Sequence, residues 1–294
     1  MSNYVYYPGC SLKAGGKHYE ESILPVFKSI GMELEEIDDW NCCGATAYFS
    51  VDENMAAAVC GRNLFLAEQK KSDIIAPCAG CYLTMKKMNN FLTSGVEKSK
   101  KILDALKEND CAYGGTVQVK HPIEVLVDEI GLKTIKEKVK KSLGGLKIAS
   151  YYGCQLVRPF TDFDNPDYPV KLDLLMEAAG ATPIDYSAKT RCCGGSLAGT
   201  LEDVAVDLNY VLLKEARRKG ADAIVTTCPL CQFNLEFNQN KIVKKYKEDV
   251  KTPIIYFSQI LGFALGIPKE DLGFSRSVIS LENFWKSIEN GDAK

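Results

Sequence analysis

One pattern of five cysteines occurs twice in this chain, and it limits the possible folds more than any other feature. Each copy has a single cysteine, then a Cys-Cys-Gly triplet, then a Cys-x-x-Cys pair, and in both copies 34 residues separate the vicinal cysteines from the final pair. The copies are Cys10, Cys42, Cys43, Cys78 and Cys81, and Cys154, Cys192, Cys193, Cys228 and Cys231. Such an internal repeat predicts two related domains, which we place at 1–145 and 146–294, and two metal centres.

Composition narrows the class of protein. The chain of 294 residues is 46% hydrophobic and 25% charged, which is typical of a globular protein with a packed core. A formal net charge of -2 argues against general nucleic-acid binding, which needs a basic surface. The longest apolar stretches, such as 260–267, are too short to span a bilayer, so we expect no direct membrane insertion.

Cysteine usage indicates metal binding in a reducing compartment. The N-terminus has no secretion-signal pattern, so we expect a cytoplasmic protein, in which cysteines serve as metal ligands more often than as disulfides. Ten of the twelve cysteines belong to the repeated pattern; the others are Cys60, expected in the core, and Cys111. Because the chain has only two histidines, His18 and His121, a mixed Cys/His scheme cannot serve both centres equally.

Each half of the chain has the pattern of alternating strands and helices. Runs of β-type residues at 4–7 and 147–152 end just before the first cysteine of each copy, and short apolar runs at 73–76 and 223–226 lead into the Cys-x-x-Cys pairs. Amphipathic helical patterns fill the intervals. The order predicts an α/β fold of two repeated Rossmann-like βαβα domains with mostly parallel sheets. Because sites in such sheets form beyond the carboxyl ends of the strands, each cysteine set is expected at one sheet edge.

Segments outside the repeat have their own patterns. The first amphipathic helix ends at Gly31, and Pro25 either kinks it or marks its start. The polar segment 94–116 is expected outside the core, and 160–169 is rich in Pro, Asp and Asn, as loops are. The basic stretch 133–142 is expected to form a solvated helix that leads into the second copy.

The thiol ligands leave more than one kind of metal centre open. Thiolates bind soft or borderline metals such as zinc and the iron of iron–sulfur clusters. A structural zinc site closes with four ligands, and a cubane cluster also needs only four cysteines, so a fifth thiol is surplus. It is either free, or it bridges two irons of an opened cluster. Two zinc sites with spare thiols, and a dithiol–disulfide couple through either Cys-x-x-Cys pair, are the alternatives.

Both copies resemble the cysteine-rich CCG domain family, whose pattern is a cysteine, a long spacer, Cys-Cys-Gly, a second long spacer and Cys-x-x-Cys. The resemblance covers essentially the whole chain, twice. The openings 7–10 and 152–154 and the short length are most similar to the heterodisulfide reductase B subunits of methanogenic archaea. Related subunits of lactate, glycolate, glycerol-3-phosphate and succinate oxidoreductases share the motif. Many of those also carry ferredoxin-type cysteine runs, which this sequence lacks.

The resemblance implies a cofactor, a reaction and partners. Each five-cysteine set would hold one [4Fe-4S] cluster of the non-cubane kind, with one thiolate shared between irons. The protein would be a catalytic subunit that reduces the mixed disulfide of coenzyme M and coenzyme B to two thiols between the clusters, in methanogenesis. Its partners would be the C and A subunits of heterodisulfide reductase: the former would supply electrons, and the latter would connect it to a hydrogenase or formate dehydrogenase. The alternative is an electron-transfer iron–sulfur subunit of another dehydrogenase of the family.

An anionic substrate of this kind needs cationic residues near the cysteines, because it carries sulfonate, carboxylate and phosphate groups. The candidates by position are Arg158, Arg191, Lys13, Lys17, Lys189 and His18. Arg158 and Arg191 are favoured because each lies within four residues of an expected ligand. A solvated surface role is open for each of the five Arg and Lys residues, and His18 could donate a proton or simply pack on its helix. No catalytic group is expected beyond the cluster ligands.

Overall fold

The structure is a computed structural model that describes residues 3–45 and 47–292. The chain divides into two compact units: unit 1 comprises the residues up to Ala14 and Glu33–Pro122, and unit 2 comprises Gly15–Met32 and the residues from Ile123 onward. The strands are β1 (Tyr4–Tyr6), β2 (Glu35–Glu36), β3 (Asp73–Ile75), β4 (Val119–Lys120), β5 (Lys147–Tyr151), β6 (Thr182–Pro183), β7 (Ala223–Thr226) and β8 (Ile254–Tyr256). The helices are α1 (Gly9–Leu12), α2 (Lys17–Ser29), α3 (Ala47–Val51), α4 (Glu53–Gln69), α5 (Ala79–Leu92), α6 (Glu97–Glu108), α7 (Pro122–Glu124), α8 (Leu132–Lys138), α9 (Lys171–Ala178), α10 (Glu202–Arg218), α11 (Pro229–Phe237), α12 (Gln239–Tyr246), α13 (Phe257–Ala264) and α14 (Glu282–Asp292).

The sheet of unit 1 has the strand order β2-β1-β3-β4, and all of its strand pairs are parallel. At its centre Val5 of β1 lies opposite Ile74 of β3, and both side chains are buried. Parallel sheets are covered on both faces, which favours such β-branched residues in their central strands. The short apolar runs of the sequence are therefore the inner strands of the sheet.

Helix α4 follows the first Cys-Cys-Gly triplet and packs on α5 and α6. Its N-cap is Asp52, whose carboxylate accepts two backbone N–H groups of the first turn. Helix α6 buries Ile102 and Leu106, so the expectation that all of 94–116 lies outside the core is wrong. These two residues are four apart on a charged helix, which gives it one narrow apolar side.

The sheet of unit 2 has the order β6-β5-β7-β8, again with parallel pairs only. Helix α2 comes from the first sequence copy but belongs to unit 2, where Ser22 Oγ lies 2.6 Å from Ser258 Oγ of α13. Pro25 lies inside α2, so it does not mark the start of that helix. A π-helical segment, Val125–Gly131, leads into α8.

The fold class predicted from the sequence is confirmed, because each unit is an α/β domain built on one four-stranded parallel sheet with the same strand order. The domain bounds 1–145 and 146–294 stay a prediction. No helix in the described ranges, 3–45 and 47–292, is long and apolar enough to cross a bilayer.

Candidate metal centres

The two central strands of each sheet end beside cysteines. In unit 1, Cys10 lies in the short helix after β1, and Cys78 is the N-cap residue of α5, which follows β3. In unit 2, Cys154 follows β5, and Cys228 is the N-cap residue of α11, which follows β7. These strands are parallel neighbours, so their carboxyl ends lie at the same edge of the sheet, where sites of α/β proteins form.

The structure brings the five cysteines of the first copy, here called set 1, close together. Cys43 Sγ lies 3.3 Å from Cys81 Sγ, and Cys42 Sγ lies 4.0 Å from Cys10 Sγ. The thiol of Cys78 interacts with that of Cys81. Cys10 is exposed and Cys42 is half-buried, while the other three are buried. Set 1 therefore has one side toward solvent and one side in the core.

The cysteines of the second copy, here called set 2, are clustered in a similar way. Cys193 Sγ lies 3.4 Å from Cys231 Sγ, which matches the pair of vicinal and final cysteines in set 1. The thiol of Cys154 interacts with those of Cys192 and Cys228. Cys192 is exposed and Cys154 is half-buried, and the remaining three are buried. The repeat in the sequence is thus a repeat of a clustered thiol site.

Hydrogen bonds between thiols separate their pKa values. Those with Cys42 and Cys81 hold the pKa of Cys43 well below its ordinary range, and the one with Cys231 lowers the pKa of Cys193. The same bonds raise the pKa of each final cysteine. Each unit therefore favours a thiolate beside a thiol that keeps its proton. The thiolate is the form that binds a metal.

The Cys-Cys-Gly turns also direct backbone N–H groups at sulfur. Gly194 N–H donates to Cys192 Sγ at 3.3 Å, and a bond from the N–H of Ala45 helps to lower the pKa of Cys43. Gly44 and Gly194 have φ angles of +80° and +73°, which glycine adopts without strain. Hydrogen bonds of this kind stabilise thiolates and tune iron–sulfur clusters.

In each set, one further glycine brings the backbone close to the sulfur of the final cysteine. Gly9 and Gly153 have φ angles of +64° and +69°. A Cβ atom on Gly9 would lie 2.8 Å from Cys81 Sγ, and one on Gly153 would lie 3.3 Å from Cys231 Sγ. The lack of a side chain lets the backbone reach the sulfurs at both places.

The donor set suits iron–sulfur clusters. Each unit offers five thiols, one more than a closed zinc site takes, and soft thiolates on several positions are what a [4Fe-4S] cluster needs. Within the described part of the chain, no three or more His, Cys, Asp or Glu side chains are arranged to hold a single metal ion. Each five-cysteine set has the donors to anchor one cluster, and its assignment as the ligands stays a prediction.

Lys189, one of the six cationic candidates, is 2% exposed. Its Nζ lies 3.0 Å from Asp173 Oδ2 and donates to the carbonyl of Pro169 at 3.0 Å. Its own carbonyl accepts the N–H of Gly153 at 3.1 Å. The ammonium is therefore held by Asp173 inside unit 2, and the residue steadies the turn that leads to Cys154.

The other cations lie nearer to solvent. Lys13 pairs with a glutamate of β2 at 2.7 Å, and Arg158 donates to the carbonyl of Thr190 at 2.5 Å. Arg191 and Lys17 are exposed. Arg191 directly precedes the vicinal cysteines of set 2, whereas Lys17 belongs to unit 2 rather than to the unit of set 1. Binding of an anion by these four residues stays a prediction.

Both histidines are buried. His18 is 5% exposed, and its ring lies against Tyr256 with 4.8 Å between the ring centroids. Burial lowers the pKa of His18 to about 4, so its imidazole is neutral at neutral pH. His121 Nε2 lies 2.9 Å from the carbonyl oxygen of Pro77, directly before Cys78. His18 is thus a packed neutral ring rather than a surface cation.

Sequence reasoning missed buried asparagines that hold the cysteine turns. Asn63 accepts the N–H of Asn41 and donates to its carbonyl, both at 2.9 Å, just before Cys42. Asn209 donates to the carbonyl of Cys193 at 2.7 Å. The available signal was a polar residue on the buried side of each helix that follows a Cys-Cys-Gly triplet.

Comparison with known proteins gives the family. The family model of the cysteine-rich domain, CCG, matches residues 4–86 and again 148–236. Together these spans contain more than half of the chain and all ten cysteines of sets 1 and 2. The chain belongs to the cysteine-rich CCG domain family.

Relatives match over nearly the full length. The chain is 32% identical over 95% of its residues to the 8-methylmenaquinol:fumarate reductase membrane anchor subunit of Wolinella succinogenes, of which it covers 98%. It is 30% identical over 98% of its residues to the B subunit of a CoB-CoM heterodisulfide reductase of Methanosarcina acetivorans, covering 97%. A crystal structure of a hypothetical protein from Helicobacter pylori matches 95% of this chain with a TM-score of 0.75 at 14% identity. This chain spans 53% of that protein, and the likeness concerns the fold alone.

Proposed function

We propose that this chain is the catalytic subunit of a disulfide reductase, with one non-cubane [4Fe-4S] cluster held by each five-cysteine set. The proposed substrate is the mixed disulfide of coenzyme M and coenzyme B, which is reduced to two thiols. The observation that carries the proposal is the pair of all-thiol sets at equivalent sheet edges of two similar units. The full-length relatives named as B subunits of heterodisulfide reductases support it.

The stoichiometry supports a pair of centres. A disulfide takes up two electrons and two protons when it becomes two thiols, and two iron–sulfur clusters, one held by each cysteine set, would supply one electron each. The protein's part is to hold the thiolates, direct N–H groups at them and keep water from the buried side. Cys10 and Cys192 lie on the exposed sides of their sets, where a substrate would approach. Arg191, beside Cys192, is placed to meet a sulfonate, carboxylate or phosphate group.

The proposal includes partners. A catalytic chain of this kind needs a donor of single electrons, which we assign to a protein like the C subunit of heterodisulfide reductase. A flavoprotein like the A subunit of that enzyme would reduce this donor, and it would itself receive electrons from a hydrogenase or formate dehydrogenase. Several relatives are named as lettered subunits of reductases, which supports work within a complex. We place the complex in the cytoplasm.

The second candidate is an electron-transfer subunit for another dehydrogenase or reductase of the family. The relative from Wolinella succinogenes favours it, because that protein is named as a subunit of a quinol:fumarate reductase. In that case the clusters would pass electrons onward, and the chain would cleave no disulfide. A quinol or a flavoprotein would then be the donor.

The test is heterodisulfide cleavage by the isolated chain. The protein is purified without oxygen and supplied with a reduced viologen dye, and dye oxidation and thiol release are measured together. We expect two thiols and two oxidised dye molecules for each disulfide. The double variant Cys192→Ala/Cys193→Ala should lose the reaction, while Cys60→Ala/Cys111→Ala, outside both sets, should keep it. An iron-loaded chain that releases no thiol would reject the catalytic role and favour electron transfer.

A further inference from the structure

Two tyrosines occupy the same position in the two copies of the cysteine pattern. Tyr7 and Tyr151 each precede the first cysteine of their copy by three residues, and both side chains are 0% exposed. Tyr7 directly follows β1, and Tyr151 is the last residue of β5. Both units therefore place a phenol at the sheet edge that carries the cysteines.

Each phenol donates a hydrogen bond to the carbonyl just before the vicinal cysteines. Tyr7 Oη donates to the Asn41 oxygen at 2.7 Å, and Tyr151 Oη donates to the Arg191 oxygen at 2.7 Å. The acceptor residues have different side chains, so the shared acceptor is the backbone carbonyl. Both bonds tie the end of a central strand to a Cys-Cys-Gly turn far along the chain.

The phenols also border the final cysteine of each set. A Cβ atom on Gly9 would lie 3.3 Å from Tyr7 Cε1 and 2.8 Å from Cys81 Sγ. The matching Cβ on Gly153 would lie 3.8 Å from the Tyr151 ring and 3.3 Å from its sulfur neighbour. Burial, and after it the nearby thiols, raise the pKa of both phenols, so each keeps the proton that it donates.

We infer that Tyr7 and Tyr151 are positioning residues that fix the Cys-Cys-Gly turns against the final sulfurs and thereby set the reduction potential of the group that each set holds. The part about potential rests on the proposed function, since it requires that this group is an iron–sulfur cluster. Cluster potentials respond to hydrogen bonds and solvent exposure around the sulfurs. A carbonyl that loses its donor keeps its full negative end on the residue next to the vicinal cysteines, which disfavours an added electron.

The two units differ in what supports the turn. In unit 1 the Asn41 carbonyl also accepts a bond from Asn63 at 2.9 Å. In unit 2 the corresponding asparagine, Asn209, donates instead to the carbonyl of Cys193 at 2.7 Å, two residues after the carbonyl that Tyr151 holds. Loss of the hydroxyl should therefore change set 2 more than set 1.

The test uses Tyr7→Phe and Tyr151→Phe in the full chain, with Tyr186→Phe as the matched control. Tyr186 is 0% exposed and donates to the carbonyl of Leu212 at 3.0 Å, so the control loses a buried phenol–carbonyl bond that is not on a cysteine turn. Iron and sulfide per chain are measured first. A redox titration followed by EPR then gives the midpoint potentials.

Tyr7→Phe and Tyr151→Phe are each expected to lower one midpoint potential, with the larger shift for Tyr151→Phe, while the control Tyr186→Phe lowers neither. Loss of iron from the two variants but not from the control would also support the inference. Unchanged potentials at full iron content, or equal effects in the control, would overturn it.

A metal-free readout separates this inference from the proposed function. In the chain stripped of metal, Tyr151→Phe should speed alkylation of the buried Cys193, and Tyr7→Phe that of the buried Cys43. The expected factor is about fivefold, because a turn that loses one ordinary hydrogen bond opens more often. An unchanged alkylation rate would contradict the positioning role, whatever group the cysteine sets bind. A wild-type chain that takes up no iron would instead reject the proposed clusters, and the alkylation result would still decide the inference.

Discussion

Replacing Gly9 by alanine tests whether the close approach of backbone and sulfur is needed for the site. The φ angle of Gly9 is +64°, and an added Cβ would lie 2.8 Å from Cys81 Sγ. That distance is shorter than a van der Waals contact, so the sulfur or the backbone must move. Because the Cys81 thiol is buried and hydrogen-bonded to Cys43, moving the Cys81 sulfur changes the whole arrangement of set 1.

The expected magnitude has two parts. A left-handed conformation costs an alanine roughly 1–2 kcal/mol, and forcing an extra methyl group into a packed site costs about 1–3 kcal/mol more. Gly9→Ala should therefore lower the free energy of unfolding by about 2–5 kcal/mol. Gly153→Ala should fall lower in that range, because its Cβ would lie 3.3 Å from sulfur.

Two glycines serve as controls. Gly95 in unit 1 and Gly220 in unit 2 have φ angles of +73° and +74°, and a Cβ on either meets nothing within 4 Å. Their alanine variants should show only the roughly 1–2 kcal/mol of the left-handed conformation. Urea unfolding of the metal-free chain gives the energies, and iron per chain after reconstitution gives the effect on the site. The reasoning is refuted if Gly9→Ala takes up as much iron as Gly95→Ala.

Three further predictions concern residues around the sets. Lys189→Met leaves Asp173 without its cation and should cost about 3–5 kcal/mol in urea unfolding, whereas Lys214→Met, in an exposed ion pair, should have little effect; equal losses would contradict the buried pair. Burial raises the pKa of Glu68, but hydrogen bonds from residues 114–116 outweigh it and leave that pKa below its usual value. The ionised Glu68 therefore stabilises the fold fully above the ordinary carboxyl pKa, and this stabilisation is lost as pH falls through the lowered pKa of Glu68. The difference in unfolding free energy between wild type and Glu68→Gln should vanish in acid. A difference that persists in acid would contradict this role of the Glu68 carboxylate. Cys60→Ala should lower the free energy of unfolding by about 1 kcal/mol, because it removes a buried group, and should leave iron per chain unchanged. A fall in iron per chain would indicate that Cys60 is a ligand.

Local patterns were enough to predict most of the fold. The apolar runs before the Cys-x-x-Cys pairs are β3 and β7, because a buried parallel strand needs a short unbroken apolar run with polar flanks. Membership of α2 in unit 2 did not follow from the sequence. Its apolar face predicts burial but not which neighbour covers it. The burial of α6 was missed because only a few apolar residues interrupt its charges.

The candidate site divides in the same way. The spacing of the cysteines predicts both sets, since strand ends in a parallel sheet bring distant residues to one edge. The buried ion pair of Lys189 could not be predicted, because its partner Asp173 lies on another element and the two residues meet only in the folded chain. The roles of Asn63 and Asn209 also depend on tertiary contacts, as they hold carbonyls and N–H groups of the cysteine turns. Spacing thus identifies donors, while packing decides what supports them.

The most direct measurement is iron and acid-labile sulfide per chain in protein purified without oxygen, together with its EPR spectrum. Two clusters predict about eight of each per chain, and signals that change when coenzyme M or coenzyme B thiols are added. About four of each would leave one set without a cluster and contradict the paired arrangement. Zinc in place of iron, with no acid-labile sulfide, would contradict redox catalysis by this chain.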